Sequence, residues 1–221
     1  MKDIINELTG VHREVGTGRI PAGEGKAVKL RRTYDAPIED VWEAITTAER
    51  ISRWFLPISG DLQLGGKYQL EGNAGGEILA CDKPTFLKVT WVFGENPSET
   101  DISEVEVRLQ RGERDTTVLE LTHTAVVPDD RWNQFGPGAV GVGWDGVVAG
   151  LALYLKGHLV EDPAVKEQFP FTPEGREFYT KSSKAWAEAF RAAGATAEQA
   201  ATAEQNTTAF YAPPPDAPQP A

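Results

Sequence analysis

The stretch Gly136–Leu159, GPGAVGVGWDGVVAGLALYLKGHL, limits the folds open to this chain more than any other. From Gly143 onward its spacing predicts a helix. Trp144, Val147, Val148, Leu151, Tyr154, Leu155 and Leu159 recur at helical intervals and form one broad apolar face. Gly143, Gly146 and Gly150 form a second, small face. Glycine inside a helix costs about 1 kcal/mol relative to alanine. Several of them on one face imply that something approaches the helix backbone closely. A curved sheet wrapped around the helix, with or without a ligand between, would supply that approach.

The chain has 221 residues, 40% of them hydrophobic, which allows one large domain or one domain with an appendage. The net charge of −11 argues against non-specific nucleic-acid binding and against anionic membranes, since both require basic surface. Cys81 is the single cysteine, which excludes an intramolecular disulfide and a cysteine-rich zinc site. The N-terminal MKDIINELTG carries acidic and polar residues where a signal peptide needs an apolar run. No stretch reaches about 18 uninterrupted apolar residues, the length of a membrane-spanning helix. A cytoplasmic protein is therefore expected.

Residues 2–9 predict a short amphipathic helix through Ile4, Ile5 and Leu8, and residues 16–26, GTGRIPAGEGK, a glycine-rich connector. Alternation from Val28 to Tyr34 predicts the first strand. Pro37 opens a helix with Glu39 and Asp40 in its first turn and Ile38, Val41, Trp42 and Ile45 on one face. A second short helix, with Thr47 as its cap, ends at Arg53-Trp54-Phe55 before Pro57. From Asp61 the period becomes two. Tyr68 and Leu70 alternate with polar neighbours, and Glu77, Leu79 and Cys81 share a face. Leu87, Val89, Trp91 and Phe93 share another, as do Val105, Val107 and Leu109, and then Leu119, Leu121 and His123. Short strands with tight turns and one apolar face each form an antiparallel meander. The connections are too short for crossover helices, so parallel units are excluded. Val126–Pro137 is predicted as a loop containing Trp132 and Phe135. Beyond the long helix, Thr172-Pro173-Glu174 starts a helix bearing Phe178, Lys181, Ala185, Trp186, Ala189 and Phe190 and ending near Gly194. Thr196 and Gln199 form a capping-box pattern for another helix. Ala212–Ala221 is a proline-rich tail.

This order resembles the helix-grip fold of the START-like (SRPBCC) superfamily, an α+β fold in which a curled antiparallel sheet surrounds a long C-terminal helix. Particular residues sharpen the likeness. Tyr34-Asp35-Ala36-Pro37-Ile38-Glu39-Asp40-Val41-Trp42, Arg53-Trp54-Phe55, Gly65-Gly66, Gly76-Glu77-Ile78, Pro84, Val89-Thr90-Trp91 and Leu121-Thr122-His123 follow one another as in one branch of that superfamily. That branch comprises the bacterial homologues of the activator of the heat-shock-protein-90 ATPase. The likeness covers about Val28 to Leu159. It implies a cavity between sheet and helix, because members bind lipids, sterols or polyketides there and some catalyse cyclisation or other steps. No counterpart of the eukaryotic activator's separate N-terminal domain is expected in these residues. The domain plan is an N-terminal helix and linker (1–27), the helix-grip domain (28–160), a helical extension (161–211) and the tail (212–221).

His123 and Glu77 are the candidate catalytic residues. His123 shares an inward face with Leu119 and Leu121, where a histidine acts as acid, base or ligand partner, or as a core histidine bonded to a backbone or hydroxyl group. Glu77, if inward, is a buried carboxylate with a raised pKa; at the end of its strand it sits in solvent instead. Candidate ligand-binding residues are Trp54, Phe55, Tyr68, Leu79, Trp91, Phe93, His123, Trp144, Val148 and Leu151, whose aromatics either line a pocket for a flat apolar molecule or fill a core. Gly141-Val142-Gly143-Trp144-Asp145-Gly146 spells a dinucleotide fingerprint, but a loop precedes it and no parallel strand follows, so no cofactor is expected. His12, His123 and His158 lack metal-ligand spacing, and no metal is expected.

Three functions compete. One is the binding of a small apolar or amphipathic molecule in the cavity. The second is a cyclase- or hydrolase-type enzyme using His123 with Glu77 or Tyr68. The third is a chaperone-associated interaction protein. Phe169, Phe171, Phe178, Trp186 and Phe190 are too many large apolar groups for a solvated tail. The extension is expected to dock, either on its own domain as a brace or lid, or on a second copy to form a homodimer.

Overall fold

Strand and helix formation follow the apolar periods closely in the computed structural model of the protein, which describes residues 3–94, 102–158, 165 and 168–213. Leu159 of the predicted helix face and tail residues 214–221 lie outside the described residues. The elements are α1 (Asp3–Glu7), β1 (Val11–Ile20), β2 (Gly23–Tyr34), α2 (Ile38–Thr46), α3 (Ala48–Trp54), β3 (Ile58–Gly60), β4 (Lys67–Leu70), β5 (Gly75–Asp82), β6 (Phe86–Trp91), β7 (Ser103–Arg111), β8 (Thr117–Ala125), α4 (Asp129–Phe135), α5 (Gly138–Leu155), a 3-10 turn (Phe169–Phe171), α6 (Pro173–Ala192) and α7 (Ala197–Tyr211). Eight strands form one sheet in the order β1-β2-β8-β7-β6-β5-β4-β3. Every pairing is antiparallel. This is the α+β helix-grip architecture that the sequence resembles, with a helical extension after the long helix.

Three expectations need correction. Residues 16–26 are not a connector and do not separate a linker from the domain. Val11–Ile20 pairs residue for residue with Gly23–Arg32, so the sheet begins at Val11 and Val28 lies in its second strand. Glycine-rich composition reads as loop, but here Gly25 lies against the neighbouring strand, and a Cβ would meet the Ala125 carbonyl oxygen at 2.5 Å. Next, Trp132 and Phe135 lie on the short helix α4 instead of in a loop. Finally, α5 begins at Gly138, five residues before the predicted start.

The inner face of the sheet is built from cross-strand rows. Val28, His123, Val105 and Val89 stand side by side, followed by Leu30, Leu121, Val107 and Leu87. Against these rows α5 lays Trp144, Val148 and Leu151, all buried. Val147 is partly buried against the same core. Tyr34 ties β2 to the helix by donating its hydroxyl to the Val148 carbonyl at 3.0 Å. Helix α2 closes one end with Ile38, Val41, Trp42 and Ala44 buried. Among the described residues α5 is also the one helix with the length and apolarity of a membrane span. It is the core helix of this domain, and its central Asp145 is completely buried in protein.

The extension docks on its own domain. Thr172 caps α6 by accepting from the Gly175 amide, and Thr196 and Gln199 complete a capping box for α7. Phe169, Phe178 and Trp186 are buried. The close approach expected at Gly143, Gly146 and Gly150 is largely absent. A Cβ on Gly146 would meet nothing within 4 Å, one on Gly150 would lie 3.7 Å from the Trp54 carbonyl oxygen, and one on Gly143 would lie 3.3 Å from the Tyr211 hydroxyl. The closely approached glycines are Gly141 and Gly138, packed by the extension and not by the sheet. A Cβ on Gly141 would lie 2.3 Å from the Trp186 ring, and one on Gly138 would lie 2.6 Å from the Thr207 hydroxyl. Asp145 fastens the three layers together. It accepts from Arg13 of β1 at 3.0 Å on both oxygens, from the Ser182 hydroxyl, and from the Trp186 indole at 3.1 Å. Burial raises its pKa against the pull of Arg13, Ser182 and Trp186. A buried carboxylate is tolerable only with this many partners.

Candidate ligand-binding cavity

Between the curled sheet, the α2–α3 pair and α5 lies a cavity of about 150 Å³. Strand alternation supplies Leu87, Val89 and Trp91 from β6, Val105 and Val107 from β7, and Leu119 and Leu121 from β8. Helix α5 supplies Trp144, Val147, Val148 and Leu151, one face at helical spacing. Ile45, Thr46, Ile51, Trp54 and Phe55 close it from α2 and α3. Trp54 and Phe55 stack with ring centroids 5.6 Å apart, and Trp91 and Trp144 lie 4.9 Å apart.

Most of the few polar groups on this wall are bonded within the protein. Tyr68 donates to the Thr90 carbonyl at 2.8 Å, Thr46 to the Trp42 carbonyl at 2.7 Å, and Trp54 to the Ala44 carbonyl at 2.9 Å. Burial raises the Tyr68 pKa beyond its usual range, so it remains a phenol. Trp144 donates to Nδ1 of His123 at 3.0 Å. The wall is therefore an almost wholly apolar surface: its tyrosine and threonine hydroxyls and the indoles of Trp54 and Trp144 donate to protein acceptors, and no charged side chain lines it.

Of the predicted ligand-binding residues, Trp54, Phe55, Tyr68, Trp91, Trp144, Val148 and Leu151 meet at this cavity. His123, Leu79 and Phe93 do not. His123 lies behind the Trp91–Trp144 pair, with ring centroids 6.5 and 5.8 Å away. Because its Nδ1 accepts from Trp144, the neutral ring carries its proton on Nε2 and donates it to Ser103 Oγ at 2.8 Å. Ser103 in turn donates to the Trp91 carbonyl at 2.6 Å. Burial pushes the His123 pKa down to about 4. It is the hydroxyl-bonded core histidine of the two alternatives, and it positions Trp144.

Glu77 and Leu79 are exposed, on the outer face of the sheet. The reason is a β-bulge. Ile78 pairs with Val89 but Ala80 pairs with Lys88, so one extra residue shifts the phase of β5. Ile78 and Cys81 consequently both reach the cavity wall, and Glu77 and Leu79 point away. Phe93 lies just beyond β6, 59% exposed and edge-on to Trp91. Ile45, Ile51, Leu87, Val89, Val105, Val107, Leu119, Leu121 and Val147 belong to the wall but were not among the predicted binding residues. The same alternation and helical spacing mark them. The Gly141–Gly146 stretch lies within α5, away from any strand-to-helix turn, and so lacks the setting of a dinucleotide site. Among the described residues no three His, Cys, Asp or Glu side chains group as metal ligands.

A curled antiparallel sheet gripping a long helix over an apolar cavity defines a START-like, helix-grip protein. Residues 35–156 match the family model described as activator of Hsp90 ATPase homolog 1-like protein, and the chain belongs to that family. CalU16 from Micromonospora echinospora is similar in both its crystal and solution structures. The two are 35% and 37% identical to this chain, cover 82% of it and 98% and 96% of their own length, and have TM-scores of 0.65 and 0.67. That likeness extends beyond residues 35–156 into the flanking segments. MLL2253 from Mesorhizobium loti shares the fold at 22% identity and a TM-score of 0.52, covering 59% of this chain and 97% of its own. No curated protein matches the chain.

Proposed function

We propose that this protein binds a small apolar or amphipathic molecule, with its hydrocarbon part held in the cavity between sheet and α5. The observation that carries this reading is the chemistry of the wall. An apolar cavity of about 150 Å³ accepts a benzene-sized guest, and this one keeps such a volume within an almost wholly apolar wall that holds no charged side chain. Burying apolar surface of the guest contributes roughly 25 cal/mol per Å². The enzyme alternative receives no support from its candidate residues: both nitrogens of His123 are engaged, and Glu77 lies on the outer face.

Naphthalene, titrated against the fluorescence of Trp54, Trp91 and Trp144, tests the reading. Saturable quenching is expected, and replacing Val107 with tryptophan to fill the cavity abolishes it. Absence of saturation in the native protein, or equal binding by the filled variant, overturns the proposal.

A further inference from the structure

We propose that a second cavity, on the other side of α5, takes the carboxylate head group of the ligand whose hydrocarbon part occupies the first. This inference rests on the ligand-binding reading above and names the ligand class: a short- to medium-chain carboxylic acid.

The second cavity measures about 270 Å³ and lies between α3, α5 and the helical extension. Trp54, Phe55 and Val147 line both cavities, so a single layer of side chains separates them. Its floor is open helix backbone. A Cβ on Gly146 would meet nothing within 4 Å, whereas one on Gly141, a turn earlier, would strike Trp186. The extension thus fills one end of the helix's glycine face and leaves the other empty.

Charge selects the occupant. The chain has 33 acidic residues against 22 basic ones, yet among the described residues this cavity is bordered by Arg53 and His158 and by no carboxylate. Arg53 pairs with Glu49, with both side chains more than half exposed; such pairs are weak and readily exchanged. Tyr179 adds a phenol, oriented by stacking on Tyr211 at 5.5 Å. Burial raises its pKa, so it stays a hydrogen-bond donor. Among the described residues neither its hydroxyl nor the His158 ring has a hydrogen-bond partner. The first cavity is lined by no cationic side chain for an anionic head, and a buried charge without partners is strongly disfavoured. The second cavity supplies those partners one side-chain layer away. A single guanidinium suits a monoanionic carboxylate better than a phosphate, for which arginine clusters are the rule.

The experiment is calorimetric titration of the full chain with hexanoate, hexanol and naphthalene. Native protein is expected to bind hexanoate about ten-fold more tightly than hexanol, the worth of one charge-assisted hydrogen bond. The double substitution Arg53→Gln with His158→Gln removes that preference. Gly146→Leu, which fills the second cavity, weakens hexanoate by roughly ten-fold or more and leaves naphthalene unchanged. Equal affinity for acid and alcohol, or a preference that survives in both variants, overturns the second compartment. If naphthalene binds in that case, the ligand-binding reading stands without it; if naphthalene also fails to bind, that reading falls as well.

Discussion

The indole N–H of Trp144 donates to Nδ1 of His123 at 3.0 Å, and this one bond determines the state of both residues. It keeps the imidazole neutral, directs its Nε2 proton to Ser103, and holds Trp144 against the cavity.

A pH dependence follows. The folded-state pKa of His123 is depressed from 6.5 to about 4, so the unfolded chain takes up the proton first as pH falls. The stability contribution is full above about pH 6.5 and is lost between there and about pH 4, amounting to about 3 kcal/mol. Replacing His123 with glutamine, which retains an acceptor and a donor but does not titrate, is expected to flatten this part of the stability profile. Chemical denaturation at a series of pH values measures it; an unchanged slope in the variant contradicts the assignment.

Two glycines of α5 should respond oppositely to the same change. Gly146→Ala meets open space and is expected to stabilise the protein by about 1 kcal/mol through helix propensity. Gly141→Ala places a methyl group against the fully buried Trp186 ring and is expected to cost about 1–3 kcal/mol. Urea midpoints of the two variants compare them directly, and a loss at Gly146 would show that its face is filled.

Asp145 and Arg13 should behave as a coupled pair. Asp145→Asn leaves the Arg13 guanidinium, only 9% exposed, without a counter-charge and is expected to cost about 3–5 kcal/mol. Adding Arg13→Met removes the orphaned charge and should recover part of that loss. A double-mutant cycle measures the coupling; simple additivity would mean that the two side chains do not interact.

The extension should act as a brace. Deleting residues 169–221 removes Phe178 and Trp186 from the core and leaves Asp145 without Ser182 and Trp186. A loss of about 5 kcal/mol corresponds to a fall in melting temperature of roughly 10–20 °C. The expected outcome, by calorimetry and light scattering, is that fall with no change in oligomeric state. An unchanged melting temperature would make the segment a passive tail, and a dimer becoming a monomer would make it an interface.

Local chemistry by itself determined much of this protein. Period-two alternation marked β6, β7 and β8 and the inward side of each, because one side chain in two must leave water. Helical spacing marked Trp144, Val147, Val148 and Leu151 as one face, and Thr172, Pro173, Thr196 and Gln199 marked helix starts through the backbone groups they satisfy. Those signals act within a few residues of where they are read. The remainder depends on partners distant in sequence. Of the glycine-rich residues 16–26, 16–20 and 23–26 are strand, paired across the turn at Pro21-Ala22, and the distant β8 pairs with β2 from Lys26 onward. Glu77 and Leu79 face outward because a bulge against β6 shifts the phase of β5. His123 is held in one tautomer by Ser103 and Trp144, 20 and 21 residues away. Helix α5 extends back to Gly138 because Trp186 and Thr207, from the extension, pack into the space its glycines leave. A hydrogen bond or close contact between such distant segments leaves no periodic trace in the sequence, so only the tertiary structure decided these features.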